Sequence, residues 1–214
     1  MTTKTIITLG RQFGSGGRAV GKKLAEDLGI PYYDKEILQR AAKESGICES
    51  LFENHDEKPT SSFLYSLVMD TYSAGYATMG MQEMPMSQKV FLAQFDTIKK
   101  IAEEGPCVIV GRCADYALEE LDNVVSVFVH APLEKRAARV AEYEKIDIAA
   151  AKKMALQNDK KRASYYNYFT NKKWGDAAGY HYSFCSSKLG IDGTVEAIKE
   201  VIKIRENNKD AKIW

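Results

Sequence analysis

Among the 214 residues no uninterrupted apolar run approaches the roughly 20 that a bilayer crossing needs. There is no internal repeat, low-complexity tract or Pro/Gly-rich linker to divide the chain, so one domain over residues 1–214 is expected. Cys48, Cys107, Cys113 and Cys185 are scattered and match no C-x-x-C spacing, and the three histidines are equally dispersed. That sets aside a zinc site and leaves reduced thiols in a cytoplasmic protein as the expectation. Charge of one sign is lacking too: 30 basic against 29 acidic residues leave a net charge of +1. No global field then draws a nucleic-acid polymer, and any basic site must be local. Residues 1–10 hold neither the long apolar core nor the small-residue cleavage site of a secretory signal. Nothing in the composition bears on oligomeric state.

What the chain does have is a series of short apolar runs ending in glycine or a polar residue. Residues 5–9, 31–33, 107–111, 124–130 and 182–185 read as strands. Between them Val20, Leu24 and Leu28 recur at helical spacing until Gly29. Helical patterning fills residues 35–104, broken near Pro59 and around the four methionines of residues 79–86. Those methionines read as an adaptable surface or as a plain connection between helices. Residues 133–162 read as helix, a tyrosine-rich loop follows, and a helix over 195–204 closes the chain. Continuous apolar strands alternating with helices predict an α/β fold, a parallel sheet covered on both faces.

Gly14, Gly16 and Gly17 fall between the first strand and the first helix. Such a turn wraps backbone N–H groups and a helix N-terminus around an anion, and glycine allows both positive φ and close approach. Three registers compete. A literal G-x-x-x-x-G-K spans residues 16–22, but it would bury Gly21 and Lys22 inside the helix. A dinucleotide pattern matches at Gly14, Gly16 and Ala19, with Asp34 where a ribose-binding acid belongs. It suffers from Arg11, Gln12 and Phe13, which separate strand from glycines. The third register starts at Arg11 and runs through Gly14, Ser15, Gly16, Gly17 and Arg18 to Ala19, with the length of a P-loop.

Several segments together carry a resemblance. They are Gly14-Ser15-Gly16, Leu24-Ala25-Glu26-Asp27-Leu28-Gly29, Tyr32-Tyr33-Asp34, Gly111-Arg112 after an apolar strand, and Asp159-Lys160-Lys161-Arg162. In this order and spacing the chain resembles the cytidylate kinase family, more closely its divergent cytidylate kinase-like branch. The resemblance implies a P-loop kinase fold with a helical acceptor-binding region at 35–104 and a basic lid at 133–180. It implies transfer of the ATP γ-phosphate to a nucleoside monophosphate such as CMP, with Mg²⁺ held chiefly through the nucleotide. Asp34, Arg40 and Arg112 would serve the acceptor, while Arg11 and residues 14–19 would cradle the donor phosphates. Arg18, Arg139, Lys160 and Arg162 would neutralise charge during transfer.

Three departures stand against the family pattern. Gly17 occupies the P-loop lysine position, Arg18 the position of the metal-binding Ser/Thr, and Cys113 that of an aspartate after Gly-Arg. A nucleotide-binding module with little catalysis is therefore a second reading, and a dinucleotide-dependent oxidoreductase a third. Residues 135–173 carry eleven Lys/Arg against four Asp/Glu, a local excess suited to closing over phosphates. A solvated helix face explains the same lysines equally simply. Tyr165, Tyr166, Tyr168, Phe169 and Trp174 read either as a platform for a base or as packing for the lid.

Overall fold

The computed structural model describes residues 3–48, 50–51 and 85–208. Five parallel strands form one sheet: β1 (Ile6–Arg11), β2 (Tyr32–Tyr33), β3 (Val108–Val110), β4 (Val124–His130) and β5 (Tyr182–Cys185). Their order is β2-β3-β1-β4-β5, so β1 lies at the centre. The dinucleotide-binding order places β2 beside β1, whereas here β3 takes that place.

Among the described residues are the α-helices α1 (Gly17–Leu28), α2 (Glu36–Ser45), α3 (Met86–Glu103), α4 (Ala114–Ala117), α5 (Leu133–Glu144), α6 (Ile148–Thr170) and α7 (Ser186–Asn207), with a short 3-10 helix at Ala177–Gly179. Strand alternation sends Ile7 and Leu9 to one face, where Val20 and Leu24 of α1 and Val195 and Ile198 of α7 meet them. Ile6 and Ile109 face the other way, onto Ile37 of α2, Ile98 and Ile101 of α3, and Leu118. Each such side chain, fully buried, contributes about 1.5–3 kcal/mol. Gly29 ends α1 in the left-handed conformation, its N–H returning to Ala25 and Glu26 carbonyls.

The tyrosine-rich stretch is helix rather than loop. Asp147 caps α6 by accepting from the Ala150 N–H at 2.9 Å, and the helix then runs on through Thr170. Tyr165, Tyr166 and Phe169 fall on one face of it and pack against Phe91, Phe128 and Tyr180. Phe91 and Phe169 stack with centroids 4.0 Å apart. Short-range reading missed this because aromatic residues have no strong helix propensity, and tertiary packing decides. Of the expected methionine-rich break only Met86 is described; Pro59 and residues 79–84 lie outside the described residues.

Candidate functional site

The loop begins one residue later than its sequence suggests, because Arg11 is the last residue of β1, paired with Val129. Gln12 to Gly16 form the turn, with Gly14 and Gly16 at φ +76° and +81°. A β-carbon on Gly14 would lie 2.7 Å from Val140 Cγ2, and one on Gly16 2.6 Å from Ile191 Cδ1. Glycine is thus enforced by both conformation and space. Ser15 is fully buried; its carbonyl accepts from Ser186 Oγ at 2.5 Å, which ties the start of α7 to the loop. No hydrogen bond among the described residues uses the N–H of Gly14, Gly16, Arg18 or Ala19. The turn and the first turn of α1 therefore present a concave set of donors backed by the positive end of a helix. The literal motif at residues 16–22 runs into α1, where Lys22 is exposed and Gly21 packs on Val110.

Helices α5 and α6 lean on this loop. Arg139 Nη1 donates to the Gly14 carbonyl at 2.8 Å. Arg136, buried, donates to the Phe13 carbonyl at 2.9 Å and pairs with Asp159 at 2.7 Å. Asp159 in turn accepts from the Phe13 N–H at 2.7 Å. Arg162 donates to the Arg11 carbonyl at 3.4 Å and lies over the Phe13 ring. Lys160 is exposed. Arg136 and Asp159 were visible in the basic lid motif, but only the fold reveals that they clamp the loop.

Three arginines converge on Asp34. Arg18 places Nε and Nη2 each 2.6 Å from Oδ2, while Arg112 Nη1 lies 3.2 Å and Arg11 Nη2 3.9 Å from Oδ1. Asp34, Arg11 and Arg112 are buried, whereas the Arg18 side chain is 61% exposed. Burial pushes the Asp34 carboxyl up, but Arg11, Arg112 and Arg18 outweigh it and hold the pKa below the ordinary value. Asp34 is thus the counter-ion of an arginine cluster, not a free acid for a ribose. Arginine cannot shed its charge, so these three guanidiniums keep the Asp34 carboxylate ionised beside the loop.

Arg11 explains two further residues. Its side chain runs past Gly17, where a β-carbon would lie 2.5 Å from Arg11 Cβ, and reaches Gly111, where one would lie 2.0 Å from Nη1. The missing lysine position is therefore filled by the stem of Arg11. Arg40 lies on α2 and bonds Glu44 and Glu104. The structure does not bring Arg40 to Arg112.

Between the loop and α6 lies a small cleft lined by Arg11, Arg112 and Arg162 together with Asp115, Tyr166 and Tyr180. No cluster of three His, Cys, Asp or Glu among the described residues is placed to hold a metal ion. Arg18, at the metal-ligand position, offers no lone pair.

A parallel sheet with a glycine turn feeding its first helix, under a basic helical lid, defines a P-loop kinase fold. Solved structures of a shikimate kinase from Bacteroides thetaiotaomicron and a gluconokinase from Sinorhizobium meliloti share it. Each has a TM-score of 0.51 at 14% identity; the first match covers 93% of this chain and 98% of the other, the second 100% of both. An uncharacterized protein from Eubacterium ventriosum is more alike, with a TM-score of 0.70 and 31% identity over 94% of this chain and 99% of the other. The chain belongs to the cytidylate kinase-like family, whose model matches residues 6–188. A cytidylate kinase from Methanopyrus kandleri is 26% identical, the match covering 92% of each chain. One from Pyrococcus horikoshii is also 26% identical, over 93% of this chain and 88% of its own. Family and relatives make this a nucleotide kinase.

Proposed function

We propose that this protein transfers the γ-phosphate of ATP to a nucleoside monophosphate, with CMP the first acceptor to test. The observation that carries the reading is the set of uncommitted N–H groups at Gly14, Gly16, Arg18 and Ala19, enclosed by a turn that side chains would fill. That shape and polarity fit a phosphate group. Arg139 is placed over the same turn to meet charge at the transferring phosphoryl group. Arg18, exposed and one ion pair from Asp34, is free to turn from carboxylate to phosphate. Arg112 and Arg162 line the adjoining cleft and would hold the acceptor phosphate, since guanidinium presents paired donors to phosphate oxygens. Lys160 stands where lid closure would carry it over the phosphates. Magnesium would arrive with the triphosphate, coordinated by its oxygens and water. The acceptor is a small nucleotide in the cytoplasm, not a nucleic-acid polymer or a membrane.

A second reading, nucleotide binding with little turnover, is favoured by Gly17 and Arg18 at the lysine and metal-ligand positions. Two measurements separate the readings. Thermal shift with ATP, with and without Mg²⁺, against NADH tests the donor site, because a true ligand stabilises by mass action. A coupled assay for ADP release with CMP tests turnover. ATP protection with CMP-dependent ADP release supports the kinase, and protection without release supports the binding module. Protection by NADH alone would overturn both.

A further inference from the structure

The cleft lined by the arginines is also lined by groups of different chemistry. Arg112 and Cys113 both sit at positive φ, +53° and +56°, a region that side chains with a β-carbon occupy only at a cost. This reversal parts two neighbouring side chains. Arg112 turns to Asp34, while Asp115, in the first turn of α4, turns to Tyr166, whose hydroxyl donates to Oδ2 at 2.6 Å. Tyr180 is bonded to Tyr166 in turn. Burial raises the pKa of Asp115 despite donors from Tyr166, its own N–H and that of Tyr116. It raises those of Tyr166 and Tyr180 as well. Asp115 is half-buried, and it lines both this cleft and the neighbouring cavity.

A carboxylate has about four acceptor sites, of which Tyr166 and two backbone N–H groups use three. The same cleft is lined both by guanidinium donors and by this acceptor, which engage different partners. A ligand matching both carries a phosphate and, apart from it, a group that donates a hydrogen bond. A nucleoside monophosphate has that form, its donor being the 2′-hydroxyl or an exocyclic amine. Resting on the kinase reading above, we propose that Asp115, held by Tyr166, is a specificity-determining residue. It accepts a hydrogen bond from the nucleoside part of the acceptor while Arg112 takes the phosphate. A site built around such a bond discriminates against an analogue lacking the donor, because the polar group is then left unpaired.

The test is steady-state kinetics with CMP, dCMP and UMP for the parent, Asp115→Leu and Tyr166→Phe. Leucine keeps the branched shape and the number of side-chain heavy atoms of aspartate and leaves no buried charge. For Asp115→Leu the KM for CMP is expected to rise about tenfold or more, with the KM for ATP within about twofold of the parent. For the analogue that lacks the donor, parent and variant should perform alike. Sparing of dCMP identifies the sugar hydroxyl, and sparing of UMP the amine. An unchanged CMP KM, or an equal rise for all three acceptors, would show Asp115 to be structural and overturn the assignment. If Asp115→Leu does not fold, Tyr166→Phe decides on the same pattern at about threefold, and a flat result overturns it. A parent that binds ATP and turns over none of the three defeats the kinase reading and this inference with it. An active parent with flat variants defeats this inference alone.

Discussion

The stem of Arg11 occupies the space that a β-carbon on Gly17 would need, the two positions lying 2.5 Å apart. Residue 17 is where a P-loop lysine would stand, so a lysine there and Arg11 in its present path exclude each other. Restoring the lysine is accordingly expected to fail. Gly17→Ala should destabilise the protein by about 1–3 kcal/mol through overpacking, and Gly17→Lys by at least as much. ATP protection in thermal shift should weaken in both. Stronger ATP binding by Gly17→Lys would show that the Arg11 side chain yields easily and does not stand in for the lysine.

Asp34 neutralises part of the charge on Arg11, Arg18 and Arg112. Removing it takes from two buried guanidiniums a carboxylate they share, which is expected to cost about 3–5 kcal/mol. Inorganic phosphate should then raise the melting temperature of Asp34→Asn more than that of the parent. An equal response in both would separate the arginine cluster from phosphate binding.

The same carboxylate sets an acid limit. Its folded pKa lies below the ordinary 3.8 because the three arginines outweigh burial. As pH falls, the unfolded chain takes up this proton first. The stabilisation is therefore complete above about 3.8 and disappears as pH passes down through the folded value. Urea midpoints measured from about pH 5 to pH 3 should fall more steeply for the parent than for Asp34→Asn. Parallel curves would place the acid sensitivity in other carboxylates.

Arg112 and Arg40 should behave oppositely. Arg112→Ala is expected to raise the acceptor KM about tenfold to hundredfold, the worth of a charged hydrogen bond. Arg40→Ala should leave it unchanged, because its guanidinium is engaged by Glu44 and Glu104 away from the cleft. The reverse pattern would mean that α2 swings inward when the acceptor binds.

Arg139→Ala should lower kcat with little change in the KM for ATP. Its bond to the Gly14 carbonyl places it over the turn, and its charge is needed most as the phosphoryl group transfers. A loss confined to the ATP KM would make it a docking residue only.

How legible was this in the chain? The β1–turn–α1 unit could be read directly, because strand pattern, glycines and the first helix are contiguous and each enforces the next. The convergence on Asp34 could not, since residues 11, 18, 34 and 112 come from four separate places that only the sheet order brings together. Arg40 is assigned to the acceptor by resemblance, and the helix itself carries a local signal of where that side chain sits. Ile37, Leu38, Ala41 and Ala42 form the buried stripe of α2, which puts Arg40 on its other side. The clamp of Arg136 and Asp159 on Phe13 depends on how two helices fold back, and no local pattern encodes that.

The central position of β1 has a consequence during synthesis. Its two neighbours are β3 and β4, and the last pair, Arg11 with Val129, joins residues 118 positions apart. At roughly 5–20 residues per second, the first strand waits about 6–24 s on the ribosome before its second edge is covered. Throughout that interval Ile6, Ile7 and Leu9 form an apolar segment with open hydrogen-bonding edges, the kind that pairs with other chains. Slowing translation before residue 129 should therefore increase aggregation of nascent chains, and slowing it later should not.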